Sequence, residues 1–137
     1  MGMNLMRSEP AMRRRVLVVD DETDFVATYE RLLRREGYEV VAATSRATGL
    51  AMLAADPPHL VISDLRLPDG DGLDVVRAAR GARAPVPVIV VTGYPSDETR
   101  RAAFAAGATT FLAKPFAAAV LLAAIRSSVD GTQETTT

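Results

Sequence analysis

Apolar and polar positions along the chain alternate between short unbroken apolar runs and longer stretches with helical spacing. Residues 16–19, Val-Leu-Val-Val, form a run that stops at Asp20-Asp21. A run this short, with no polar alternation, predicts a strand buried on both faces. Phe25, Val26, Tyr29, Leu32 and Leu33 then recur at helical spacing until Gly37. Residues 38–43 predict a second strand and 45–55 a second helix, broken by Asp56-Pro57-Pro58. A third strand over 59–63 closes on Asp64, and the loop 67–72, Leu-Pro-Asp-Gly-Asp-Gly, leads into a helix over 73–80. Pro85 and Pro87 introduce a fourth strand, 88–91, which closes on Thr92-Gly93. A helix over 97–106 stops at Gly107, and a short fifth strand over 109–113 ends at Lys114-Pro115. Phe116, Val120, Leu121, Ala124 and Ile125 line a last helix.

Five β/α units in strict alternation imply a parallel sheet with helices on both faces. Five are too few for a closed eight-fold barrel, which leaves an open, doubly wound α/β sheet. In such sheets ligands bind beyond the carboxyl ends of the strands, near the point where strand order reverses. Residues 14–129 form one domain on this reading. Residues 1–13 read as a flexible N-terminal segment, and the polar, aperiodic 130–137 as a flexible tail or the start of a linker.

Composition narrows the chemistry. The absence of cysteine excludes disulfides, thiolate metal sites and thiol nucleophiles. A single histidine excludes devices that need two imidazoles. The net charge of −1 gives no overall pull towards nucleic acid. No stretch approaches the ~20 apolar residues of a membrane span. The first fifteen residues lack the apolar core of a signal peptide, and Met6 stands where a myristoylation motif requires Ser or Thr. Of sixteen basic residues only Lys114 is lysine, so its position carries information.

The parallel topology gathers the residues that follow the apolar runs at one sheet edge: Asp20, Asp21, Asp64, Thr92 and Lys114. Three carboxylates in one crevice repel by ~4 kcal/mol per pair at 4 Å and an effective dielectric of about 20. Either one stays protonated or a cation sits among them, and a hard divalent ion such as Mg²⁺ suits oxygen ligands. Lys114 adds a compact positive charge and Thr92 a hydroxyl. Such a set suits a phosphoryl group, with a carboxylate as nucleophile forming an aspartyl phosphate. Asp64, alone at the end of the expected central strand, is the leading nucleophile, while the adjacent Asp20 and Asp21 can share the metal. Helix capping is the simpler role open to Asp20 and Asp64, and core packing that open to Phe111. Asp69, Asp71 and Asp74 surround Gly70 and Gly72 without the spacing or terminal Glu of a calcium loop, so turn and cap roles are expected. His59, at the start of the third strand and so at the opposite edge, is expected away from the site.

Asp20-Asp21, Asp64, Thr92-Gly93 and Lys114-Pro115, in this order on five β/α units, resemble the receiver domain of bacterial two-component response regulators over residues 14–129. The resemblance implies a flavodoxin-like (βα)5 fold with strand order 2-1-3-4-5. It implies a phosphorelay switch in which Asp64 takes a phosphoryl group from the phosphohistidine of a sensor histidine kinase or histidine phosphotransfer protein. Asp20, Asp21, Asp64 and the backbone carbonyl of Arg66 would hold Mg²⁺, Asp20 largely through water. Lys114 would pair with the phosphate, Pro115 would follow a cis peptide, and Thr92 and Phe111 would be the switch residues. Phe111 stands where the family often has Tyr and lacks that hydroxyl.

A downstream protein or effector domain would read the fourth-helix, fifth-strand and fifth-helix face, which is also open to homodimerisation. Direct binding to nucleic acid or membrane is not implied, and the location would be cytoplasmic. The chain would be a signalling switch that catalyses only its own phosphorylation and dephosphorylation. Arg66 and Tyr94, two residues after Asp64 and Thr92, are expected to govern how water reaches the acyl phosphate. The alternative is a Mg-dependent phosphohydrolase with an Asp nucleophile: Glu22 stands two residues after Asp20, but no cap insertion is evident. A nucleotide-binding domain fits less well, because no Gly-rich loop follows the first strand. The eight residues after 129 are too few for an output domain, so the chain is expected to be a stand-alone receiver or part of a longer regulator.

Overall fold

The apolar runs become strands β1 (Arg15–Val19), β2 (Glu39–Ala43), β3 (Leu60–Asp64), β4 (Val88–Thr92) and β5 (Thr110–Ala113) in the computed structural model. Between and after them lie helices α1 (Thr23–Arg35), α2 (Arg46–Ala55), α3 (Leu73–Arg80), α4 (Asp97–Ala106) and α5 (Ala118–Glu134). The structure describes residues 14–134, so the segment expected to be flexible at 1–13 lies outside the described residues. All five strands pair in parallel in the order β2-β1-β3-β4-β5, with β3 at the centre. The strand order reverses between β1 and β3, which opens a crevice at their carboxyl ends.

Side-chain alternation along β1 shows why the sheet needs helices on both faces. Val16 and Val18 pack with Tyr29 and Leu33 of α1 and Leu121 and Ile125 of α5. Leu17 and Val19 pack with Leu53 of α2, Val75 and Val76 of α3 and Ala103 of α4. Each such side chain, fully buried, contributes roughly 1.5–3 kcal/mol. Strands β3 and β4 are buried at every position, which is why their sequences show no polar alternation.

Helix ends follow local chemistry. Ser45 caps α2, and Ser96 with Thr99 forms a capping box on α4. Gly107 closes α4 at φ 115°, in the left-handed region where a Cβ is strained. Asp69 reaches across from the β3–α3 connection and accepts from the N–H groups of Arg46 (2.6 Å) and Ala47 (2.9 Å), so it serves the first turn of α2 and not its own helix. Asp71 accepts from Leu73 N at the start of α3. Asp74 caps nothing and instead pairs with Arg46 (2.7 Å) and Arg77 (3.1 Å).

Two segments differ from the expectation. The connection at 67–72 contains a short antiparallel hairpin, Arg66–Leu67 against Gly70–Asp71. The last helix does not stop at 129: α5 runs to Glu134, through residues expected to form a loose tail. Apolar periodicity reports only the packed face, and it ends at Val129. Backbone hydrogen bonding propagates past the last docked residue once a helix is nucleated. Among the described residues no helix is long and apolar enough to cross a membrane.

Candidate functional site

The carboxyl ends of β1, β3 and β5 bring four side chains together. Asp20, Asp21 and Asp64 each offer a carboxylate oxygen, all within 4.8 Å of one another. Asp20 is fully buried and Asp64 nearly so, while Asp21 is exposed. Lys114 Nζ lies 2.8 Å from Asp64 Oδ2, 2.9 Å from Asp20 Oδ2 and 2.6 Å from Glu22 Oε1. The same ammonium sits 4.2 Å above the Phe25 ring. One point charge shared by three carboxylates is a task for lysine, because a guanidinium is planar and wider. The peptide between Lys114 and Pro115 is cis.

Burial raises the Asp20 carboxyl above its usual range, against the opposing pull of Lys114 and the Glu22 N–H. Burial alone would lower the Lys114 ammonium, but its hydrogen bonds to Asp64 and Glu22 and the close Asp20 carboxylate together outweigh burial and hold it above its usual value. Asp20 Oδ1 accepts from Glu22 N at 2.9 Å, and Asp64 Oδ1 from Arg66 N at 3.2 Å. Asp20 Oδ2 meets the Lys114 charge off the line of a hydrogen bond and so has no donor. Thr92, buried at the end of β4, accepts through Oγ1 from Tyr94 N at 3.0 Å.

Asp21, Glu22, Asp64 and Lys114 line a crevice of about 530 Å³. Arg66 and Tyr94 form part of its wall, with the guanidinium 3.9 Å over the ring. A second cavity of about 480 Å³, also lined by Arg66 and Tyr94, reaches Thr92 and is bounded by Leu65, Leu73 and Ala102. Gly72 lies hard against the Asp64 backbone: its N–H donates to Leu65 O at 2.8 Å, and a Cβ there would overlap the Asp64 carbonyl.

Asp20, Asp21, Asp64 and Lys114 are thus assembled as the strand ends suggested, with Thr92 on the adjoining strand. Phe111 is half-buried on β5, with the Arg100 guanidinium 6.0 Å from its ring centroid. His59 lies at the amino end of β3, where Nδ1 accepts from Arg15 N at 2.9 Å. Sequence reasoning gave Glu22 only to the phosphohydrolase alternative, yet it holds Lys114. The helical spacing of Phe25 and Tyr29 marks one apolar helix face and does not reveal the Phe25 ring beneath the ammonium. The only available signal was their position just after Asp20-Asp21.

The profile of the response regulator receiver domain matches residues 16–126. The acid tolerance regulatory protein ActR of Rhizobium meliloti (strain 1021) is 43% identical over 110 residues, which cover 80% of this chain and 57% of ActR. The chain therefore spans little more than half the length of that relative. The crystal structure of a CheY-like response regulator receiver domain protein from Methanospirillum hungatei JF-1 matches with a TM-score of 0.85 at 32% identity, covering 90% of this chain and 98% of that one. A response regulator protein from Burkholderia pseudomallei, solved with a phosphorylated aspartic acid, calcium ion and citrate, matches with a TM-score of 0.77 at 30% identity, covering 89% of this chain and 72% of that one. These matches do not favour the phosphohydrolase alternative. The chain belongs to the response regulator receiver domain family, the phosphoacceptor switches of two-component signalling.

Proposed function

We propose that Asp64 is the phosphoacceptor. The observation that carries this reading is its place: nearly buried, 2.8 Å from Lys114 Nζ, and with oxygens of Asp20 and Asp21 within 4.8 Å. The oxygen-only donor set, with a buried Asp20 Oδ2 that lacks a donor, fits a hard divalent cation. Asp20, Asp21, Asp64 and the Arg66 backbone carbonyl would hold Mg²⁺. When bound, the ion supplies positive charge to the oxygens of a transferring phosphoryl group.

An Asp64 oxygen attacks the phosphorus of a phosphohistidine on a sensor histidine kinase or phosphotransfer protein. The P–N bond breaks, a P–O bond to Asp64 forms, and the nitrogen keeps its electron pair. Lys114 follows the charge onto the phosphoryl oxygens. The Thr92 Oγ1 proton is free to be donated there, because Oγ1 serves Tyr94 N only as an acceptor. Phe111 moves with Thr92, and the face built from α4, β5 and α5 changes its affinity for an effector or for a second copy. Phosphorylation acts only as far as that partner binds the two states differently. In dephosphorylation a water attacks the phosphorus, the P–O bond to Asp64 breaks with its electron pair left on the carboxylate, and inorganic phosphate departs.

Incubation with Mg²⁺ and acetyl phosphate, followed by intact mass measurement, is expected to give one added phosphoryl group and far less without Mg²⁺. No adduct, or steady phosphate release from a simple phosphate ester, would overturn the reading. The stacked Arg66–Tyr94 pair screens the acceptor from water, and an exposed cation–π contact is worth ~0.5–1 kcal/mol. Arg66→Ala and Tyr94→Ala should each speed loss of the phosphoryl group about two- to fivefold. Unchanged decay of the labelled species in the double variant would remove that role.

A further inference from the structure

The connection between β3 and α3 carries the Arg66 carbonyl assigned above to the cation, and it leaves the acid cluster as a very short hairpin. Arg66–Leu67 pairs with Gly70–Asp71, two residues on each side. A lone hairpin is at best marginally stable in water, so this one depends on what it is fastened to. Its near end is fixed. Arg66 N donates to Asp64 Oδ1 at 3.2 Å, Gly72 N donates to Leu65 O at 2.8 Å, and Leu67 is buried in the core. Its far end, the turn at Pro68-Asp69, is exposed. There the Asp69 carboxylate makes the fastening.

Asp69 reaches away from the helix that follows it. Oδ1 accepts from Arg46 N at 2.6 Å and Oδ2 from Ala47 N at 2.9 Å, in the first turn of α2. These N–H groups hold the carboxyl below its usual range, so it meets the positive end of the helix as an anion. The Arg46 side chain completes the clasp. It lies along Gly70, where a Cβ would meet its Cδ at 2.7 Å, and it bonds Asp74 of α3 at 2.7 Å. Helix α2 already has a cap in Ser45, which accepts from Thr48 N, so what Asp69 adds is the tie between hairpin and helix. We propose that Asp69 is a positioning residue for the cation site: clasped to α2, it holds the hairpin that sets the Arg66 carbonyl for the divalent cation. The inference rests on Asp20, Asp21, Asp64 and that carbonyl being the cation site. Helix α2, which supplies no ligand, then bears on metal affinity.

Asp69→Ala removes both bonds. Calorimetric titration with Mg²⁺ is expected to show about fivefold weaker binding than wild type, less than the ~10-fold loss typical of a group bonded directly to a metal ligand. The Mg²⁺ concentration for half-maximal labelling by acetyl phosphate should rise by the same factor, because only the hold on the ion has changed. Two further variants separate the tie from its rivals. Ser45→Ala weakens the start of α2 without touching the hairpin, and should lower the melting temperature while leaving Mg²⁺ affinity within twofold of wild type. Asp69→Asn removes the charge but keeps an oxygen for the Arg46 N–H, and should recover most of the lost affinity. Affinity of Asp69→Ala within twofold of wild type would overturn the proposal. So would an equal loss in Ser45→Ala, which makes helix stability the cause, or in Asp69→Asn, which makes the cause a charge acting at a distance. If wild type binds no Mg²⁺, the cation-site reading falls and the proposal falls with it.

Discussion

Asp64→Asn is expected to fold and to take no phosphoryl group. The amide keeps the shape of the carboxylate, and its oxygen can still accept from Arg66 N, as Asp64 Oδ1 does now. It loses the negative charge that makes a carboxylate a nucleophile, so the acyl phosphate has no oxygen on which to form. Lys114 keeps Asp20 and Glu22 as partners, and removing one of three crowded acids relieves repulsion. The apo variant should therefore melt within a few degrees of wild type, about 1 kcal/mol either way. With Mg²⁺ and excess acetyl phosphate, intact mass should show no adduct under conditions that saturate wild type. Asp20→Asn and Asp21→Asn, which weaken only the metal site, should be slower yet still reach one adduct. If Asp64→Asn is labelled at the wild-type rate, the nucleophile lies elsewhere, and peptide mapping would locate it.

The apolar run of β1 and the residues that follow the strands show how far the sequence can be read. The run Val16–Val19 has to be a strand buried on both faces, because it has no polar side to give to water. Once five such runs are parallel, Asp20, Asp64, Thr92 and Lys114 share an edge whatever the details of the loops. The scarcity of lysine then makes Lys114 stand out among fifteen arginines. Contacts that depend on side-chain reach were not legible. Asp69 was open to a cap role, but that it serves α2 follows from the fold of the hairpin at Arg66–Asp71, which no periodicity encodes. The grip of Glu22 on Lys114 joins residues far apart in sequence and depends on rotamers. The length of α5 was underestimated for the opposite reason: helix propagation past Val129 needs no apolar pattern at all.

Lys114→Met should destabilise the metal-free protein strongly, and Mg²⁺ should restore most of the loss. The methionine fills the same space over Phe25 but leaves Asp20 and Asp64 facing each other without a cation, both almost fully shielded from water. Removing one partner of a buried ion pair costs about 3 kcal/mol or more, which is roughly 10 °C for a chain of this size. Mg²⁺ supplies the missing charge, so the rise in melting temperature on adding it should be larger for the variant than for wild type. Acid should help as well. Asp20 has its folded pKa raised by burial, and a group so raised adds stability below its unfolded pKa and loses it as pH climbs through the folded value. Without Lys114 to oppose burial, that loss deepens, so lowering the pH from 7 towards 5 should raise the variant's melting temperature more than wild type's. Phosphorylation should fall by about 100-fold or more even with Mg²⁺ saturating, because no ammonium follows the charge onto the phosphoryl oxygens. Thermal melts with and without Mg²⁺ at two pH values, together with labelling rates, check each part. A variant as stable as wild type without the ion would mean that the acids do not depend on Lys114, and the electrostatic account of the site would fail with it.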